Sequence, residues 1–217
     1  MTVSLEFENI ILIILGFLSE ILGTMAGFSS STIFLPLASY LVEFKTALVL
    51  VAIFHLFGNI SRITFFRHGF DWNVLLIFGI PSFVLSLIGA TLSGNLSQTF
   101  LKLILGIFLI VVSVLFLIKP KLAFPANKKS LVLGGGISGF IVGLIGTGGA
   151  LRASFLTGLK MDKEKYIATS AVVALGTTQL ESLITLLPDS YLNILLLDSI
   201  SICKRFSRFL CWQKDSN

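Results

Sequence analysis

The chain alternates apolar stretches with short polar joints. Long apolar runs cover residues 9–27, 47–66, 74–92, 99–118, 131–145, 167–187 and 191–202, and two shorter ones cover 32–42 and 150–159. A helix needs about 20 apolar residues to cross the hydrocarbon core of a bilayer, so the short runs reach only part of the way. The pattern predicts an all-α integral membrane protein of about seven to eight transmembrane or half-membrane helices. Two of the junctions are unusual. The first run ends in small residues (Gly23, Ala26, Gly27, Ser29, Ser30, Ser31) ahead of a short run interrupted by Pro36, and the run 131–145 ends in Gly146-Thr-Gly-Gly149 ahead of the other short run. Each reads as a helix, an unwound stretch and a half helix.

These two breaks lie 119 residues apart. The same offset places Phe44–Leu56 over Lys163–Leu175 without a gap. The chain therefore reads as two pseudo-repeats with broken first helices: residues 10–118, a basic linker at 119–130, an incomplete second repeat at 131–187, and a tail at 188–217. Paired interruptions at corresponding positions of two halves point to a transporter's binding site. Unwinding frees backbone N–H and C=O groups inside the membrane, and a substrate can partner them. A half-helix N-terminus also favours an anion. A lone pair such as Gly139 and Gly143 reads instead as a close helix-packing face.

Composition agrees with membrane residence. Of the 217 residues 55% are hydrophobic and 12% charged, and the mean hydropathy is +0.97. Soluble domains carry about 25% charged residues. The net charge of +5 sits mostly at the ends of apolar runs, which excludes a nucleic-acid-binding domain and suits cytoplasmic anchors. Lys119–Lys129, with four lysines and two prolines, is the best cytoplasmic loop. The first apolar run follows an acidic stretch and does not have the form of a cleavable signal. Cys203 and Cys211 form no disulfide framework or metal pair. Gly134–Gly136 and Gly146–Gly149 lack the Lys-Ser/Thr of a phosphate loop, and no catalytic or metal constellation stands out, so an enzyme or ATP-driven pump is not expected, nor any cofactor.

The candidate substrate site therefore comprises Gly27, Ser29 and Ser30 at the first break and Gly146, Thr147, Gly148 and Gly149 at the second. Arg62 adds a forked cation and Asn59, three residues earlier on the same helical face, a neutral donor. Arg62 has a second reading, in which it extends to the interface with Arg67. Glu20 and His55 are candidates for proton coupling; Glu20 equally suits an ion pair with an arginine, and His55 a packing role. Arg152 lies on the first turn of the second half helix, a place that suits either neutralising substrate charge or reaching the interface. The partners expected are the lipid bilayer of the plasma membrane, a small anion and H+ as coupling ion.

Gly139-Phe-Ile-Val-Gly-Leu-Ile-Gly-Thr-Gly-Gly149, followed by Tyr166-Ile-Ala-Thr-Ser170, resembles the sulfite exporter TauE/SafE family, as does the first half with its small-residue break, Pro36 and the loop Gly69-Phe-Asp-Trp72. The resemblance covers residues 10–176, although Ser29–Ser31 stand where the family usually has glycines. It implies a two-repeat permease moving sulfite, sulfonates or related organosulfur anions. The alternatives are a channel, a membrane assembly factor or an inactive truncated copy of the carrier.

After Gly176 the resemblance stops. Family members commonly continue with a segment like Asp-Ala-Thr-Arg-Ile-Pro. One permitted back-translation of Thr177–Thr185, read from its third base, spells that text followed by Tyr-Tyr. At the repeat offset its arginine falls over Arg62. The expectation is a tail out of frame from about residue 176, with the last one or two spans missing.

Overall fold

The computed structural model describes residues 2–26, 29–66, 69–119 and 122–186. Gly27, Arg67, His68, both cysteines, the apolar run 191–202 and the whole 188–217 tail lie outside the described residues. Eight helices make up the described part: α1 (Thr2–Ala26), α2 (Ser31–Leu41), α3 (Phe44–Phe65), α4 (Trp72–Gly94), α5 (Gln98–Ile118), α6 (Lys128–Ile145), α7 (Gly149–Thr157) and α8 (Lys163–Thr185). Five of them, α3, α4, α5, α6 and α8, are long and apolar enough to cross a membrane. The apolar part of α1 is the shorter segment Ile10–Met25. With 11 and 9 residues, α2 and α7 are about 17 and 14 Å long, half the thickness of the hydrocarbon core.

Local chemistry fixes the helix ends. Asp71, Ser97 and Asn127 each accept a hydrogen bond from a backbone N–H three residues on, capping α4, α5 and α6. Gly146 closes α6 in the left-handed region at φ 71°, with its N–H on Val142 O at 2.7 Å. Neither internal proline breaks its helix. Pro36 lies inside α2, so the interruption expected there is absent. In α4 one π turn, Leu75–Gly79, widens the helix just before Pro81, which has no N–H to return to the preceding turn.

The helices are dressed for lipid outside and polarity inside. Outward-facing side chains include Ile13, Phe17 and Met25 of α1 and Leu103, Ile110 and Leu117 of α5, all exposed. Buried side chains include Ser29, Ser30, Ser31, His55, Asn59, Arg152, Thr177 and Glu181. That distribution is stable only where hydrocarbon is the outer solvent.

The tightest seam joins α4 and α6. A Cβ on Gly135, Gly139 or Gly143 would run into the carbonyls of Phe78, Ser82 and Ser86, and one on Gly89 into Phe140 O. One glycine per turn on α6 thus brings the two backbones together. Helix α8 packs between α3 and α4 and is tied to α3 by Gln179 Nε2 donating to Ala52 O at 2.9 Å.

Candidate functional site

Both helix breaks converge at one place. Gly149, the first residue of α7, abuts Ser29 so closely that a Cβ on the glycine would overlap the serine's. Ser31 Oγ donates to Thr147 Oγ1 at 3.1 Å, and Thr32 Oγ1 lies 3.2 Å from the same oxygen. The half helices α2 and α7 therefore start side by side, bringing together the positive ends of two helix dipoles.

Beside this junction lies a cavity lined by Ser29, His55, Asn59, Arg62, Gly149 and Arg152, with Thr24, Tyr166 and Ser170 completing its polar wall. About 40 Å³ of it is open to the centres of water-sized molecules. At roughly 10–15 Å³ for one water by this measure, that is room for a few waters or one small oxyanion.

Each side chain in the wall is held by its element. Arg62, one turn from the end of α3, folds back toward α1. Its Nε and Nη2 donate to Thr24 Oγ1 at 3.1 and 2.6 Å, Nη2 reaches Glu20 Oε2 at 2.7 Å, and Nη1 donates to Asn59 Oδ1 at 3.0 Å. Arg62 thus forms an ion pair with Glu20 of α1 and turns toward the bundle. With Oδ1 committed to Arg62, Asn59 is left with a buried NH2 group that has no partner among the described residues.

Arg152 enters from the opposite wall, on the first turn of α7. It is buried, at 8% exposure, and its Nε donates to Ser170 Oγ at 3.1 Å. Among the described residues no carboxylate lies within ion-pair distance of it. His55 is buried one turn below Asn59. Its Nε2 lies 2.8 Å from Ser30 Oγ and 3.4 Å from Ser29 Oγ, and its Nδ1 lies 3.5 Å from Thr178 Oγ1 on α8. Glu20 Oε1 accepts from Ser30 Oγ and lies 3.6 Å from His55 Nε2.

The expected site residues divide into three groups. Ser29, Asn59, Arg62, His55 and Gly149 line the cavity. Ser30 and Glu20 stand behind it, bonded to one another. Thr147 fastens the two breaks together, while Gly146 packs on Leu48 and Gly148 on Ser138 and Val142. Ser170, Tyr166 and Thr24 were outside the expected set. Arg152 carried a sequence signal, its place on the first turn of a half helix. Tyr166 and Ser170 were visible only as parts of a motif.

Known proteins resemble this chain along most of its length. A family described as "Sulfite exporter TauE/SafE" matches residues 12–202, continuing past Gly176. A probable membrane transporter protein of Methanocaldococcus jannaschii is 31% identical over 172 residues, an alignment that takes in 70% of this chain and 63% of the relative. The chain thus spans less than two thirds of that relative's length. No solved structure matches. The chain belongs to the sulfite exporter TauE/SafE family.

Proposed function

We propose that this TauE/SafE family member is a secondary carrier of the cell membrane, binding one small anion in the cavity where its two broken helices meet. The observation that carries the reading is Arg152, a buried cation at the cavity wall with no carboxylate partner among the described residues. An unpaired charge inside a membrane protein is expensive and marks a ligand or ion path. Arg62 faces the same space, and Asn59 offers it an unused N–H pair. The sum is two guanidiniums, a free amide and two helix N-termini around room for a few heavy atoms. That donor set suits an oxyanion, and sulfite or a short sulfonate has the right size and charge.

The two-repeat architecture fits the element bounds. Helices α1 and α6 end at Ala26 and Ile145, and α3 and α8 begin at Phe44 and Lys163, each pair 119 residues apart. Alternating exposure of a site between two such halves is the general means of secondary transport.

The test is uptake of labelled sulfite and labelled methanesulfonate into vesicles reconstituted with the full chain. Saturable uptake of at least one is expected, reduced about tenfold or more in Arg152→Gln, the loss of one charge-assisted contact. Vesicles no different from protein-free ones for both compounds would overturn the carrier, and uptake that never saturates would replace it with a channel.

A further inference from the structure

We propose that Glu20 is a built-in competitor for the substrate anion, so that each anion bound requires one proton to be taken up on this carboxylate. The proposal rests on the anion-carrier reading above. Its ground is geometric. The Glu20 carboxylate already sits as a bound anion would: Oε2 takes Arg62 Nη2 at 2.7 Å, and Oε1 accepts the hydroxyl of Ser30 at the first break. The space for it is specific, because Gly58 on the facing helix has no side chain and a Cβ there would occupy the position of Oε2. The protein thus spends donors belonging to its anion site on an anion of its own.

An incoming oxyanion meets that carboxylate across a single guanidinium. Two negative charges sharing one cation in a medium of low dielectric repel strongly. Adding a proton converts the Glu20 carboxylate to a neutral acid. Arg62, which lines the cavity, is then released to the substrate, and the charge within the site is unchanged by the exchange. The other charged or titratable groups near Glu20 do not supply this switch. From α3 it faces Arg62 and His55, with Lys45 at the far end of that helix. From α2 the sole titratable side chain is Tyr40, 89% exposed at the other end. Across the cavity stand Arg152 of α7 and Tyr166 of α8. Glu181 of α8 is buried and holds its bond to Thr185, outside the cavity wall. Of these groups, Glu20 alone is an acid in contact with the anion donors.

Methanesulfonate is the suitable probe, since it stays ionised throughout the workable pH range and every proton taken up belongs to the protein. Added to the solubilised full chain in weak buffer, it is expected to draw about one proton per anion bound, and an inward proton gradient is expected to drive its accumulation in vesicles. Glu20→Gln is expected to bind methanesulfonate at alkaline pH about tenfold more tightly than the wild type, with no proton uptake and no response to the gradient. Wild-type binding without proton uptake would overturn the coupling and leave the carrier standing, as would a Glu20→Gln variant with the wild-type pH profile. Should the wild type bind neither methanesulfonate nor sulfite, the carrier reading falls and this proposal with it. If Glu20→Gln fails to fold, the proton count on the wild type decides alone.

Discussion

Asn59 and Arg62 act as a unit. The guanidinium holds the amide oxygen, and the amide nitrogen is thereby turned out with no partner of its own. Replacing Asn59 with Ala is expected to weaken methanesulfonate binding by about 1.5–3 kcal/mol, the usual worth of a hydrogen bond to a charged group, as read from the binding constant. Arg62→Ala behaves differently, because it leaves Glu20 buried without its cation. A loss of about 3–5 kcal/mol of stability is expected in detergent unfolding, and the double change Glu20→Gln with Arg62→Gln should be milder than Arg62→Ala alone. Sequence spacing was enough to put Asn59, Arg62 and His55 on one helical face. It could not show that Arg62 turns toward Glu20, which lies 42 positions away on another helix, nor that Ser170 would receive Arg152. Those pairings depend on how α1 crosses α3 and how α7 meets α8. The glycines at 146 and 148 were read as backbone donors for substrate, whereas packing on Leu48 and on Ser138 and Val142 explains their small size.

Between helices, the pattern of glycines divides into those that are needed and those that are not. A Cβ on Gly139 would lie 2.6 Å from both Cα and C of Ser82, and backbone atoms cannot step aside. Gly139→Ala should therefore cost about 1–3 kcal/mol or more, seen as a lower midpoint of thermal unfolding. Gly106 in α5 is the internal control, since nothing lies within 4 Å of where its Cβ would be. Gly106→Ala should leave the midpoint unchanged or raise it, by at most about 1 kcal/mol of helix propensity. The residue spacing on α6 already suggested a packing face, but the partner, α4, was not legible: contact between nonadjacent helices leaves no mark in either one alone. Proline was misleading. It was taken as an interruption at Pro36, yet α2 continues through it. The lengths of the broken helices, by contrast, followed from where the small residues stand, because only those positions tolerate an unwound backbone inside a membrane.

For the molecule as a whole, hydropathy alone established membrane residence, because a surface this apolar has no soluble alternative. Charge sets the expected orientation. The lysines between α5 and α6 are expected to hold that loop in the cytoplasm, so a cysteine introduced at Ala126 in a chain carrying Cys203→Ser and Cys211→Ser should react with a membrane-impermeant maleimide only after the inner face is exposed. The end of the chain poses its own question. Glu181 stands 119 residues after Arg62, is fully buried, and has one carboxylate oxygen without a partner among the described residues. An arginine at that point would mirror the first half, and one permitted back-translation of residues 177–185, read in the shifted frame, would supply one. The coding sequence is expected to permit that reading, and codons that forbid it would place the tail in frame, in keeping with a family match that runs to residue 202.

The contact between Ser29 and Gly149 limits which pairs of side chains the meeting of the two breaks can hold. The first break carries serines and the second glycines, and at their meeting point one side chain fills the space the other vacates. Two serines there would collide, and two glycines would leave a gap. A side chain at position 149 is therefore expected to be tolerated only when position 29 gives up its own. The serine at the first break and the glycine at the second are thus complementary in volume at the point where they touch.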